Sequence, residues 1–286
     1  MNRKKIKENT GFVIGRWFIR IFLFAWSVTI VFPLVWTAYT SLKSNKEFFA
    51  NVWALPKNWR FDNYEYAWEA AQFSKYFANS LFVVIGTVLL SLLITSTTAY
   101  AIAKFRFRWF KILNKFYLII MAVPGVLILV PQYFMFLNLG LTNKLWVLIL
   151  LYAVGNAPGS IVMQIGFMRS VDNALLEAAD IDGASEFQKF FNIIVPCVKP
   201  ALFLTALTSM MSAWNEFIHA LTFLTDKSKY TVAIGLSHLK NASTYSVEYG
   251  GLFAGLVIAM VPIIVVYTIF QKPLQEGVRT EGGVKG

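Results

Sequence analysis

Six stretches of this chain run for 16 to 28 residues without a charged side chain: Ile21–Leu42, Tyr76–Ala103, Phe116–Asn143, Leu145–Met168, Pro200–Asn215 and Tyr249–Gln271. An α-helix needs about 20 apolar residues to cross the roughly 30 Å hydrocarbon layer of a bilayer. Five of the stretches are long enough alone. The sixth, from Pro200, is interrupted by Glu216 and His219 but resumes at Phe217 and ends at Leu224. A carboxylate at mid-bilayer costs roughly 2.5–3.5 kcal/mol and less near the interface, so a helix from Pro200 to Leu224 tolerates Glu216 in its outer third. Only 14% of the 286 residues are charged, against about 25% in a soluble domain. A soluble enzyme with one packed core is thereby excluded, and the single cysteine, Cys197, excludes a disulfide scaffold. Cys197 itself reads as an inert packing residue.

The expected fold is an all-α integral membrane protein with six transmembrane helices, at about 21–42, 80–103, 116–139, 145–167, 200–224 and 249–271. Residues 1–20 precede this membrane domain of 21–271, and 272–286 follow it. Lys and Arg concentrate on the cytoplasmic side of membrane proteins. The N-terminal segment carries Arg3, Lys4, Lys5, Lys7, Arg16 and Arg20, and the loop after the second span carries Lys104, Arg106, Arg108, Lys111 and Lys115 with no acid. Placing these inside puts both termini in the cytoplasm, as an even number of spans requires. The net charge of +11 then belongs to the headgroup layer, and nucleic acid is not expected as a partner.

Several chemistries are missing. There is no G-x-x-x-x-G-K-[ST] phosphate loop and no G-x-S-x-G, HExxH or CxxC motif, so neither an ATPase site nor a metal site is expected in this chain. Glu216 and His219 share a helical face and read as a structural pair in preference to a proton relay. Gly251, Gly255 and Ala259 form a small-residue stripe suited to close helix packing. Pro124, Pro131 and Pro158, with Gly125, Gly155 and Gly159, predict kinks in the third and fourth spans. Broken helices often line solute sites. Tyr133, Asn138, Asn156, Gln164, Asn215 and Glu216 are candidate pathway contacts, each equally explicable as an interhelical hydrogen bond.

The most informative segment is Arg169–Lys199. Ser170 or Asp172 can cap a helix, Gly183 suits the left-handed residue that ends one, Ser185 with Gln188 forms a capping-box pattern, and Pro196 is expected to stop the second helix. Two short amphipathic helices hinged at a glycine follow, with Leu175, Leu176, Ala179, Phe187, Phe190, Phe191 and Ile194 on apolar faces. Such a face needs a partner, either the protein's own bundle or another protein.

Glu177-Ala178-Ala179, Asp182-Gly183-Ala184 and Pro196 thirteen residues beyond Gly183 resemble the EAA loop of ABC importer permeases. Ala99–Lys104 with Phe105-Arg106-Phe107, Trp214-Asn215-Glu216-Phe217, and the tail Glu281–Gly286 resemble the carbohydrate branch of that family. Val171-Asp172 stands where the family usually has a proline. The resemblance implies a permease in a bacterial inner membrane, without its own cofactor, for a carbohydrate of oligosaccharide class. Its partners would be a sister permease, two copies of an ATPase that bind ATP and magnesium, and an extracytoplasmic solute-binding protein. Glu177, Ala178, Ala179, Asp182, Gly183 and Ala184 would couple to the ATPase. Gly282, Gly283, Val284 and Lys285 would reach between its subunits. On the residues alone, an ATP-independent carrier or channel and an ABC permease for another solute stay open.

Overall fold

The computed structural model describes the backbone of residues 10–246 and 248–282, and the side chains of 15–240 and 248–271. Among them the chain is helical with no strand. In chain order the helices are α1 (Thr10–Thr40), α2 (Asn45–Ala50), α3 (Asp62–Ala70), α4 (Phe73–Lys104), α5 (Arg108–Ile120), α6 (Leu129–Asn138), α7 (Leu145–Ser170), α8 (Asn173–Ile181), α9 (Glu186–Lys189), α10 (Val195–Cys197), α11 (Lys199–Asn215), α12 (Ile218–Phe223), α13 (Val232–Ser246) and α14 (Tyr249–Gly282). Four helical segments are long and apolar enough to cross a membrane, Gly15–Thr40, Phe73–Lys104, Leu145–Ser170 and Tyr249–Gln271. Counting two sharply bent helix pairs as one span each makes six.

The third and fifth stretches depart from the expected single helices. The third stretch is α5 followed by Gly125–Asn138, bent by 95°. Pro124 has no N–H to continue the ladder, and Ala122 and Val123 close tight turns onto Ile119 and Ile120 before a 3₁₀ segment begins at Gly125. The second helix of the Arg169–Lys199 segment, Glu186–Cys197, meets Lys199–Asn215 at 80°, and the fifth stretch itself breaks at Glu216. Pro196 does not stop its helix. It sits in the first turn of α10, where its missing N–H is tolerated, after a π-helical turn over Phe190–Ile194. Cys197 is exposed, not packed. The last helix runs on past the expected end of its span to Gly282, while Gly283, Val284 and Lys285 lie outside the described residues.

The chain divides into two compact units. The first comprises residues up to Trp68 together with Leu239–Ile258. Its centre is the turn after α1, where the buried Lys43 donates to the carbonyls of Asn51 and Val52 (3.3 and 2.8 Å) and Asn63 Nδ2 donates to the carbonyls of Ser41 and Lys43 (2.8 and 2.9 Å). Burial pushes the Lys43 ammonium below the ordinary lysine range, with Glu47 partly opposing. Ser44 and Glu47 form a reciprocal capping box at the start of α2. A Cβ on Gly250 would stand 2.4 Å from Asn63 Nδ2 and 2.5 Å from the Lys43 carbonyl oxygen, so only glycine allows α14 this close.

The second unit, Glu69–His238 with Ala259–Gly286, is built on α4, α7 and α11. Many of the buried positions of these helices are small or hydroxylated, among them Ser91, Thr95 and Ala99 on α4, Ala153, Ala157 and Ser160 on α7, and Ala201, Thr205 and Ser209 on α11. Without water to expel, helices in lipid gain from close approach and interhelical hydrogen bonds, which small residues permit. Trp214 donates its indole N–H to the Ala259 carbonyl (3.1 Å). Gln72 and Asn143 are non-glycine residues with positive φ. Asn143 organises its surroundings from that conformation, accepting from the N–H groups of Thr225 and Asp226 on its side chain and from Lys229 Nζ on its carbonyl.

Candidate functional site

The segment from Asp172 to Val198 forms a helix–turn–helix whose ends are specified locally. Asp172 accepts the Ala174 N–H at 3.0 Å, capping α8. Gly183 takes φ +76°, the left-handed state a side chain would strain. Ala184 N–H bonds back to the Ala179 carbonyl (2.9 Å), closing the C-terminal turn. Ser185 and Gln188 make the reciprocal capping box that starts α9.

Six polar side chains tie this element to itself and to α4. Lys104 Nζ donates to the Val171 carbonyl (2.7 Å) and Asn173 Oδ1 (2.9 Å). Tyr100 donates its hydroxyl to Glu186 Oε2 (2.9 Å). Lys189, nearly buried, bridges Asp180 and Glu186 at 2.5 Å each across the glycine turn. Asp180 first, then Glu186, hold its ammonium above the ordinary lysine range. Beneath these contacts Leu176, Phe190, Ile194 and Val198 join Tyr100, Ile102, Ile165 and Met168 in one apolar cluster. The helix pair is therefore pinned to the ends of α4 and α7 by charge above and packing below.

Its other face is bare. Ile181 is 88% and Phe187 72% exposed, with Leu175 and Phe191 also outward. Glu177, Ala178, Asp182 and Gly183 are exposed beside them and Ala184 half-exposed. Ala179 differs from its expected place: it is buried, one turn from Leu176 and Gly183, and faces its own bundle. Sequence reasoning missed Tyr100, Lys104, Asp180, Glu186 and Lys189. The signals for them were the i,i+3 spacing of Glu186 and Lys189 and the place of Tyr100 and Lys104 in the Ala99–Lys104 stretch.

A second cluster lies where the fifth stretch breaks. Glu216 leaves α11 in extended conformation, and its carboxylate caps α12: Oε1 accepts the His219 N–H (2.8 Å) and meets His219 Nδ1 (2.9 Å), while Oε2 accepts the Ala220 N–H (3.1 Å) and the Tyr152 hydroxyl (2.6 Å). Asn156, one turn from Tyr152 on α7, accepts from Ser212 Oγ at 3.4 Å. Tyr133 stacks edge-on against Phe223 of α12 (5.7 Å), whose ring also lies on His219 (6.4 Å). Tyr133, Asn156 and Glu216 are thus gathered around α11 and α12. Asn215 is exposed and bonds its own helix at the Met211 carbonyl. Asn138 ends α6 and is exposed. Gln164 is fully buried and donates to Thr95 Oγ1 and Thr205 Oγ1, both at 2.8 Å, forming interhelical hydrogen bonds. Among the described residues no group of three or more His, Cys, Asp or Glu side chains is arranged to hold a metal.

Straight and bent apolar helices long enough to cross a bilayer define a polytopic membrane protein. The family described as the binding-protein-dependent transport system inner membrane component matches residues 93–280, and the chain belongs to it. The diacetylchitobiose uptake system permease protein NgcG of Streptomyces coelicolor is 34% identical over 250 residues, 87% of this chain and 83% of that protein. The galactooligosaccharides transport system permease protein GanQ of Bacillus subtilis is 32% identical over 263 residues, 91% of this chain and 92% of its own length. The same fold occurs in the crystal structure of a bacterial ABC transporter involved in the import of the acidic polysaccharide alginate, with TM-score 0.78, 22% identity and coverage of 95% of this chain and 99% of that one.

Proposed function

We propose that the chain is the membrane-spanning permease of a binding-protein-dependent, ATP-driven importer of an oligosaccharide. It would work with a sister permease, two copies of a separate ATPase that bind ATP and magnesium, and an extracytoplasmic binding protein. The family supports the transport system, and the names of the relatives support the solute class. The observation that carries the coupling role is the exposure of Ile181 and Phe187 on a helix pair that is otherwise held rigidly. Large apolar side chains displayed on a pinned scaffold are suited to a protein groove. We assign Glu177, Ala178, Asp182 and the Gly183 turn to the same surface, and Ala179 to its inner support.

A polar solute stripped of water loses several kcal/mol for each hydroxyl left without a partner, so it needs a polar path open to one side at a time. In this proposal the ATPase subunits close, draw the helix pairs of both permeases together, and tilt α4 and α7 through the Lys104, Tyr100 and Lys189 contacts. The tail Gly282–Lys285 is a second contact with the ATPase. The polar residues Tyr133, Asn156 and Asn215 near the α11–α12 break belong to the path, with both termini cytoplasmic. A proton-driven carrier is the weaker alternative, since both oxygens of Glu216 already serve fixed donors.

Co-purification on a tagged chain, followed by mass spectrometry and an oligosaccharide-stimulated ATPase assay, tests the proposal. Ile181→Asp with Phe187→Asp should release the ATPase while the sister permease stays bound, and deletion of 281–286 should lower stimulated hydrolysis. Uphill solute movement by this chain reconstituted alone would refute it.

A further inference from the structure

Helix α5 has three faces, and only one of them is satisfied by the protein. Phe110, Leu113 and Tyr117 pack against the cluster at the ends of α4 and α7. At 100° per residue these three lie within one 60° arc. Trp109, Ile112, Phe116 and Ile119 fall on a second arc and are all more than half exposed. Arg108, Lys111 and Lys115 occupy a third 60° arc beside it and are exposed. No carboxylate among the described residues pairs with any of the three. Arg108 instead lies over the Trp109 ring, 5.1 Å from its centroid.

The order of these residues along the axis matters as much as the arcs. The cations stop at Lys115, and the last turn is Leu118, Ile119 and Ile120. The helix starts where Lys104 and Val171 end α4 and α7. It finishes near the middle of α7, where Met121 Cε lies 3.6 Å from the Cβ position of Gly159. It therefore runs from the boundary of the apolar layer into it, with the charges at the shallow end and the bare apolar arc continuing deeper. Cations near the interface are favourable where they are costly deeper in.

We propose that the outer side of α5 is a binding site for an anionic phospholipid. The phosphate of the headgroup would sit on Arg108, Lys111 and Lys115, which span about 10 Å of axis, and the acyl chains would lie along Ile112, Phe116 and Ile119. Basic side chains beside an apolar arc select anionic over zwitterionic lipid. This site does not depend on the transport role.

The test uses the full chain in phosphatidylcholine vesicles with spin-labelled phosphatidylglycerol or spin-labelled phosphatidylcholine, reading the motionally restricted fraction of each. A basic residue at an anionic surface contributes about fivefold. Wild type should prefer phosphatidylglycerol severalfold, and R108Q/K111Q/K115Q should lose most of that preference. K111R/K115R should keep it, as should R169Q/K199Q, which removes exposed cations elsewhere. A photoactivatable phosphatidylglycerol should label wild type within residues 105–120, a readout that needs no variant to fold. Equal association of both lipids with wild type, labelling mapped elsewhere, or equal losses in the two glutamine variants would overturn the proposal.

Discussion

Gln164 offers the sharpest separation between helix packing and solute contact. Thr205 Oγ1 donates its own proton to the Ala201 carbonyl (3.0 Å), so it can only accept from the Gln164 amide, which fixes the amide's orientation. The amide oxygen, Oε1, then has no partner. Gln164→Leu removes two interhelical hydrogen bonds, worth about 0.6 kcal/mol each in a membrane. It also removes an unsatisfied buried acceptor whose burial costs about 1 kcal/mol or more. These oppose one another, and both threonines can fall back on their own helices, so the net change should stay within about 1 kcal/mol. Gln164→Ala leaves a cavity as well and should cost about 2–4 kcal/mol. Gln164→Glu buries a carboxylate with no cation opposite and should cost about 3 kcal/mol or more. At about 2–4 °C per kcal/mol, the thermal midpoint of the purified chain should fall by about 4–16 °C in the alanine variant and by no more than about 4 °C in the leucine variant. Transport per folded molecule should be unchanged in Gln164→Leu. A leucine variant as stable as wild type but with a raised KM for solute would refute the packing assignment, and equal destabilisation by leucine and alanine would refute the arithmetic.

Three further outcomes follow from the same contacts. Gly250→Ala drives a methyl into Asn63 and the Lys43 carbonyl and should destabilise by about 1–3 kcal/mol, read as a lower midpoint and faster proteolysis after Lys43. Glu216→Ala strands the Tyr152 hydroxyl and the N–H groups of His219 and Ala220 and should cost about 2 kcal/mol, whereas Glu216→Gln, which still accepts, should cost less. Lys189→Met should leave ATP hydrolysis by the assembled complex largely intact while solute transport falls several-fold, and Lys189→Arg should restore it. The elevated Lys189 ammonium gives its stabilisation in full below the ordinary lysine value and loses it only as pH rises through the higher one. A transport optimum near neutrality should therefore not shift in Lys189→Met.

Much of the local structure was legible because it depends on neighbours in sequence. The capping box of Ser185 and Gln188, the Asp172 cap and the left-handed Gly183 each need only three or four residues to specify them. The apolar runs likewise announce a membrane bundle by length alone. Ala179 and Lys189 were not legible, since their places depend on which side of α8 and α9 meets α4, and periodicity does not say which apolar face of an amphipathic pair turns inward. Lys189 reads as a solvated charge until Asp180 is carried back over it by the glycine turn. The bend after α5 was half legible: the prolines forecast a kink, but not that four residues would leave the helix altogether.

The break at Glu216 shows why hydropathy alone misjudges such a span. Treated as one helix, residues 200–224 carry a carboxylate in an apolar layer with nothing local to satisfy it, because every N–H nearby is committed to its own ladder. Treated as a broken helix, they expose the first N–H groups of a new one, which in an apolar layer are a liability of the opposite sign. The two deficits cancel when they are placed together: the carboxylate needs donors, and the start of α12 has unused ones at His219 and Ala220. Tyr152 then supplies a third donor from α7, tying the break to a neighbouring span. An acidic residue that looks like an expense in a continuous helix is thus the condition for a stable interruption, and the backbone three and four residues ahead joins the His219 and Tyr152 side chains in satisfying it.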